Sequence, residues 1–582
     1  MTITLDYTRD ALFDELGMRR LRDSYMLPEE KSPQERFAAV ASKFGSDEAH
    51  SVRLYDYLSK HWLSASTPIL SYGRSKKGLP ISCYLSYNED TTKGLIDTLS
   101  EVNWLSVLGG GVGIHMGIRS RDEKSTGVMP HLKVLDSSSL AYRQGTTRRG
   151  SYAVFLDISH PDIQQFIEIR KTIGDPNMRC QNLHHGVNIS NAFMEIINRC
   201  TLHPEEDDSW PLIDPHSKEV KAVVSAKALW QDLLYIRSKE GEPYFIFLDT
   251  ANEALPQHLK DKGLSIKGSN LCTEIFLPTD GQRTAVCCLA SMNLTYYDEW
   301  KNNQQFHRDV LEMLDNALTV FINDAPDEIS RAKLSASLER SVGVGVLGFH
   351  TYLQNNGIAF ESALAKSVNI QIFRGIRQKL DKANLELGSL RGEAPDAVGT
   401  GKRCSHVMAV APTATTSIIM GNISPSIEPI RANVYRQDTL SGSHTNVNPA
   451  FTRWLVSKNF SEEEQKDIIH SVMVNDGSVQ HLEVMTEAEK YVFKTAMEID
   501  QRWVIDLAGD RQLEIDQGQS VNVFFPAKAS IPYIHAVHLM AWKRGLKSLY
   551  YYRSERVKKA ESVSVSVDLK SILEESECLA CQ

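Results

Sequence analysis

Over the first 64 residues, apolar positions recur at helical spacing. Ser32-Pro33-Gln34-Glu35 reads as a cap with proline in the first turn, ahead of the amphipathic run RFAAVASKF, and Ser46-Asp47-Glu48 opens a second helix toward Trp62. Past residue 65 the pattern changes. Short β-like runs (YAVFLDI, HGVNIS, YFIFLD, SVNVFF) alternate with longer helical stretches to about residue 550. That alternation predicts an α/β architecture with a largely parallel sheet. No internal repeat or compositional break divides this stretch, and it exceeds an ordinary single-core domain, so a large closed barrel with insertions is expected. The segment ERVKKAESVSVSVDLKSILEESE is polar and lacks aromatics, which predicts a flexible arm. The expected organisation is a helical region at 1–64, an α/β barrel at 65–552 and a tail at 553–582.

Composition narrows the function. The chain has 582 residues, 42% of them hydrophobic, and a net charge of −9. No long segment carries the Lys/Arg excess that follows a phosphate backbone, so nucleic acid is not an expected partner. No apolar run approaches the ~20 residues that span a bilayer. Acidic residues near the N-terminus argue against a secretory signal, so a cytoplasmic location without membrane attachment is expected.

The nine cysteines are Cys83, Cys180, Cys200, Cys272, Cys287, Cys288, Cys404, Cys578 and Cys581. The last two close the chain in CLACQ, a spacing that favours a redox dithiol over half a zinc site completed by another chain. Among the glycines, Gly343 to Gly348 spell G-x-G-x-x-G. They follow a polar helical pattern rather than a strand, so the dinucleotide fingerprint fails and a closely packed helix is expected. LGGGVGIHMG lacks a following Gly-Lys-Ser/Thr and marks a place where backbone approaches backbone. The hydroxyl-rich run Pro412 to Ser417 precedes an apolar segment, where either an anion or an ordinary Ser/Thr cap fits.

In GSNLCTEIFLP, Asn270, Cys272 and Glu274 fall at every second position of an otherwise largely apolar run, and read as a strand they share one face. Together with STPILS, ISCYLS, GGGVGIHMGIRSR, VCCLASMNL, APTATTS, SPSIEPI, IDQGQSVNVF, KSLYYYRS and CLACQ, in that family's order, this stretch resembles the catalytic subunit of class I ribonucleotide reductases. The resemblance implies a ten-stranded α/β barrel of the kind shared with glycyl-radical enzymes. The C-terminal glycine loop of that second group has no counterpart among the tail's cysteines.

The resemblance also implies roles. Cys272 would carry a thiyl radical, Glu274 would act as general base and Asn270 would hold the ribose hydroxyls. Cys83 and Cys287 would form the reducing pair, with Cys288 the alternative if the register slips by one. Cys578 and Cys581 would then reduce that pair by thiol exchange, recharged by thioredoxin or glutaredoxin. Tyr550 and Tyr551 would receive the radical from a small metal-bearing partner subunit, with Tyr552 leaving the register open. Adenosylcobalamin chemistry is the alternative. No cofactor or metal is expected within this chain. Substrate contacts are expected at Thr67, Ser82, Pro412, Thr413, Ala414, Thr415, Thr416 and Ser417. A deoxynucleoside triphosphate or ATP effector is expected near a homodimer interface, at Asp90, Arg119, Arg121, Arg148 and Arg149. The STP motif at Ser66 leaves no room for the family's N-terminal ATP-cone, which predicts loss of dATP on/off control and a short form of the kind viruses carry.

Overall fold

The computed structural model describes residues 3–75, 78–142, 151–439 and 442–555. Three helices open the chain: α1 (Glu15–Ser24), α2 (Pro33–Phe44) and α3 (Glu48–Ser59). The caps lie where the sequence places them. The Ser32 hydroxyl accepts from Gln34 N ahead of Pro33, and Asp47 caps α3 by accepting from His50 N. Among the described residues no helix is long and apolar enough to cross a membrane.

The strands that follow are β1 (Leu63–Ala65), β2 (Cys83–Glu89), β3 (Gly111–Gly117), β4 (Tyr152–Asp157), β5 (Leu183–Ile189), β6 (Tyr244–Phe247), β7 (Ala285–Asn293), β8 (Val342–Leu347) and β9 (Ser548–Leu549). β2 to β6 lie side by side in parallel, and β9 pairs antiparallel with β6. On the far edge β7 runs antiparallel to β2 and parallel to β8. The ring then closes through two extended segments: 406–410 pairs with β8 through Val344 N to Val407 O (2.8 Å), Val410 N donates to Gly518 O (3.0 Å), and Tyr550 N donates to Val521 O (2.9 Å). The result is a ten-segment α/β barrel. The sheet departs from the expected single direction, because its two five-stranded halves are each parallel inside but run opposite ways. The seams are β2/β7 and β6/β9.

Side chains alternate across this wall. Cys83 and Leu85 on β2, Ala153 and Phe155 on β4, Tyr244 and Ile246 on β6, and Ala285, Cys287 and Leu289 on β7 point into the lumen cluster. Their neighbours Tyr84, Val154, Phe245, Val286 and Cys288 pack outward under the surrounding helices. Both faces are therefore apolar, which is why these strands read as continuous hydrophobic runs.

The lumen is filled by the backbone of residues 268–278, and one glycine admits it. A Cβ on Gly113 of β3 would lie 1.9 Å from Ser269 O and 2.9 Å from Asn270 Cα. The segment GVGVLG proves to be strand β8 and not a helix: V-G-V-G-V is a period-two pattern, and Cβ atoms on Gly343 and Gly345 would meet Leu289 Cδ2 at 2.5 Å and Ala409 O at 2.6 Å. The expected close approach holds, but between strands.

These contacts set opposite expectations for two glycines. Gly113→Ala should destabilise the fold by ~1–3 kcal/mol, because backbone on both sides must move. Gly375, inside helix Ala363–Arg391 with its nearest neighbour 3.6 Å away, should gain ~0.5–1 kcal/mol as alanine. Urea unfolding of the two variants distinguishes them, and equal stabilities would refute the threading argument.

Candidate active site

The central cysteine lies on a turn. Residues 271–273 form a tight turn inside the barrel, and Thr273 takes a left-handed backbone (φ 64°) with its N–H bonded to Asn270 O at 3.2 Å. This corrects the reading of Asn270, Cys272 and Glu274 as one strand face. Asn270 shapes the turn, its Oδ1 accepting from the N–H groups of Glu274 and Ile275, both at 3.1 Å. The far wall supplies the remaining bonds: Gly518 N donates to Glu274 O (2.8 Å), Ser548 Oγ to Thr273 O (2.7 Å), and Ser520 Oγ to Cys272 O (2.5 Å) and Glu274 Oε2 (3.2 Å). Cys272, Glu274 and Asn270 are fully buried.

Two further thiols face this turn. Cys83 on β2 and Cys287 on β7 are direct partners across the antiparallel seam, both inside the lumen. Directly opposed residues in such a pair have Cα atoms ~4.5–5.5 Å apart, within the span a disulfide bridges. Cys288 points to the outer cluster, so alternation along β7 settles the register in favour of Cys287. Burial, reinforced by the neighbouring Cys83, pushes the Cys287 thiol well above the ordinary range. At neutral pH it is a protonated thiol, 3.7 Å from Gln517 Nε2.

The tyrosines meet the same turn. Tyr550 Oη is 3.6 Å from Cys272 Sγ, and the rings of Tyr550 and Tyr551 are 4.2 Å apart. Tyr552 points outward and stacks on Phe525 at 4.7 Å. Tyr244 from β6 completes a three-ring cluster, 4.9 Å from Tyr550 and 5.1 Å from Tyr551. Burial, with Glu242 nearby, raises the Tyr551 phenol well above its ordinary value.

The proposed substrate residues divide. Thr413, in a left-handed conformation (φ 52°), starts the short helix Ala414–Ile419, and Thr413 and Thr416 line a cleft with Ser64, Ser66 and Ser291. Pro412, Thr415 and Ser417 are buried beside them and Ala414 is half-buried. Thr67 is buried against Tyr25, its Oγ1 3.2 Å from the phenol oxygen, and Ser82 Oγ lies 3.8 Å from Cys83 Sγ. Asp90 accepts from Arg119 Nε at 2.6 Å, while Arg121 is exposed. Arg148, Arg149, Cys578 and Cys581 lie outside the described residues. Among the described residues, His50, Asp309 and Glu312 converge as metal ligands do, yet Arg53 and Arg391 already occupy both carboxylates.

The comparisons with known proteins agree with this geometry. The family model for the ribonucleotide reductase barrel domain matches residues 81–397 and 396–552, and that for the ribonucleotide reductase all-alpha domain matches residues 11–78. The chain belongs to the ribonucleotide reductase family. It is 48% identical to the ribonucleoside-diphosphate reductase large subunit of Invertebrate iridescent virus 3, over 100% of both chains. It is 44% identical to the putative ribonucleoside-diphosphate reductase large subunit of Frog virus 3, over 94% of this chain and 95% of that one. Among solved structures, the Actinobacillus ureae class Id ribonucleotide reductase alpha subunit superposes with a TM-score of 0.82 at 34% identity, covering 95% of this chain and 98% of its own.

In this ribonucleotide reductase several site residues carried no sequence signal of a role. Gln517 and Ser520 lie in the quoted IDQGQSVNVF without an assigned contact, and Tyr244 lies in a run read only as strand. Period-two alternation places Tyr244 inside the barrel once one neighbour's direction is known. The polar contacts of Gln517 and Ser520 come from the barrel's closure and have no local pattern.

The cysteine geometry makes a definite demand. Mild oxidation of the reduced protein should link Cys83 to Cys287, leaving Cys288 alkylatable after unfolding. Peptide mapping that found Cys83 joined to Cys288 would contradict the register.

Proposed function

We propose that this chain is the catalytic subunit of a class I ribonucleotide reductase that converts ribonucleoside diphosphates to 2′-deoxyribonucleotides. The observation that carries this reading is the convergence of three thiols and a tyrosine in one sealed lumen: Cys83 opposite Cys287, and Cys272 within 3.6 Å of Tyr550.

Each group suits one step. Oxidation of Tyr551, then Tyr550, takes a hydrogen atom from Cys272 and leaves a thiyl. The thiyl abstracts the ribose 3′-hydrogen while Glu274 takes the 3′-hydroxyl proton, and the 2′-hydroxyl leaves as water with a proton from the Cys83/Cys287 pair. That pair supplies two electrons and two protons in all and becomes a disulfide, and Cys272 returns the 3′-hydrogen. A thiol raised by burial suits proton donation, since it holds its proton until the leaving group needs it. Asn270, already bonded to the turn's backbone, fixes where Cys272 and Glu274 meet the sugar.

The remaining parts follow the same reading. The cleft at Thr413 and Thr416 receives the substrate phosphates, and Pro412, Ala414, Thr415, Ser417, Thr67 and Ser82 serve as further substrate contacts. Asp90, Arg119 and Arg121, with Arg148 and Arg149, serve a nucleotide effector at a homodimer interface. Cys578 and Cys581 re-reduce the lumen disulfide and are themselves reduced by thioredoxin or glutaredoxin. The radical comes from a metal-bearing partner subunit.

The test is deoxynucleotide formation from a ribonucleoside diphosphate with dithiothreitol and an effector. Turnover is expected only with the partner subunit, none with Cys272→Ser, and a ~10²–10⁴-fold loss with Glu274→Gln. Turnover with adenosylcobalamin alone would overturn the class I assignment, and an active Cys272→Ser would overturn the mechanism.

A further inference from the structure

The steps above leave one buried polar cluster without a task. Glu242 precedes β6, its side chain 2% exposed, with Oε1 2.6 Å from His184 Nδ1. Its Oε2 accepts from the His185 backbone N–H at 3.0 Å and lies 3.3 Å from His185 Nδ1 and 3.7 Å from Arg170 Nε. Burial opposes ionisation of this carboxyl, but Arg170, His184 and His185 outweigh it and hold it well below the usual carboxylate range. It is a fixed anion beside the tyrosines.

His184 joins that anion to the radical route. Its Nδ1 is also 3.4 Å from Tyr551 Oη and 3.2 Å from Tyr244 Oη. Three oxygens thus surround one nitrogen, and one nitrogen holds one proton. With its proton directed to Glu242, Nδ1 can take the phenol's proton only if its own moves on to Oε1, and the 2.6 Å contact makes that move short. An oxidised phenol is a far stronger acid than a carboxylic acid, so Glu242 needs no raised basicity to receive a proton. Tyr551 is only 9% exposed, so the phenol has little water to take it instead.

We propose that His184 and Glu242 form a proton relay for Tyr551. When the partner's oxidant removes one electron from Tyr551, the phenolic proton passes to His184 Nδ1 as the Nδ1 proton passes to Glu242 Oε1; Tyr551 then takes a hydrogen atom from Tyr550, and the relay gives its protons back only when the partner re-reduces Tyr551 at the end of turnover. The cluster loses one electron and no proton. Tyr551 becomes a neutral radical, His184 ends with the protons it began with and Glu242 becomes a neutral acid. His184 touches the reacting phenol, Glu242 acts through it, and Arg170 and His185 keep the resting carboxylate ionised. Arg553, whose guanidinium lies 4.2 Å from the centre of the Tyr551 ring, disfavours positive charge there and so favours moving electron and proton together. The inference rests on the radical route through Tyr551 proposed above.

The experiment measures turnover of the complex with its radical-bearing partner for the wild type and Glu242→Gln, each carrying either tyrosine or 2,3,5-trifluorotyrosine at position 551. The fluorinated phenol ionises several pH units lower than tyrosine, so although burial raises the phenol at this position, a rise in assay pH ionises it while tyrosine stays protonated, and an ionised phenol needs no proton acceptor. Glu242→Gln with natural tyrosine should lose ~10²-fold in turnover at unchanged partner and substrate affinity. As the pH is raised, trifluorotyrosine should recover at least ~10-fold of that loss and tyrosine should not. A loss below ~10-fold, or one the fluorotyrosine leaves in place, would overturn the relay and reduce Glu242 to a packing role. If Glu242→Gln melts early, His184→Gln, which removes the nitrogen the relay passes through, carries the same comparison. Cys272→Ser in the same assay separates the two levels: a silent wild type, or an active Cys272→Ser, overturns the catalytic reading and the relay with it.

Discussion

A polypeptide that runs through the middle of a barrel must find partners there for its own backbone groups, and the active site depends on how that demand is met. Residues 268–278 meet it with their own side chains and with the opposite wall. Asn270 and Ser269 bond back to the turn, while Gly518, Ser520 and Ser548 take or supply the rest. The room for the turn comes from Gly113, which presents no Cβ to Ser269 O. Cys272 is thus held by groups from several distant parts of the chain, and its position is only as good as the closure of the ring.

Sealing the lumen also sets its electrostatics. Cys287, Tyr244 and Tyr551 are all driven toward their neutral, protonated forms by burial, so the site stores hydrogen atoms and not charge. Hydrogen-atom chemistry fits such an environment because the separation of charge is what burial penalises. Glu242 is the exception. It stays ionised only because Arg170 and two histidines surround it, and it lies beside the outermost tyrosine.

Much of this was legible in the chain. The caps at Ser32 and Asp47, the α/β alternation and the family motifs led to the barrel, and period-two alternation separates Cys287 from Cys288 once a neighbour's direction is known, whereas the adjacent Tyr550 and Tyr551 both face the lumen because the strand is interrupted between Leu549 and Tyr552. GSNLCTEIFLP misled because Asn270, Cys272 and Glu274 stand two residues apart, as the residues on one face of a strand do, although the segment is a turn buried on every side. Its left-handed Thr273 is β-branched, the last residue type that signals such a backbone. The seams between the antiparallel halves, and the contacts of Gln517, Ser520 and Glu242, follow from pairings across hundreds of residues and leave no local trace.

Ring closure also fixes an order of assembly. The strands on one side form from residues 83–247, but the last gap closes only when 517–523 bonds to Tyr550. Until then the 268–278 turn lacks Gly518, Ser520 and Ser548, so a growing chain carries Cys272 in an unfinished, water-accessible setting from its own addition until residue 550 is made. The long-range contacts that make the thiol unreactive toward solvent are thus the last to form, and slow, high-contact-order closure is what places the nascent enzyme at greatest risk of oxidation and aggregation.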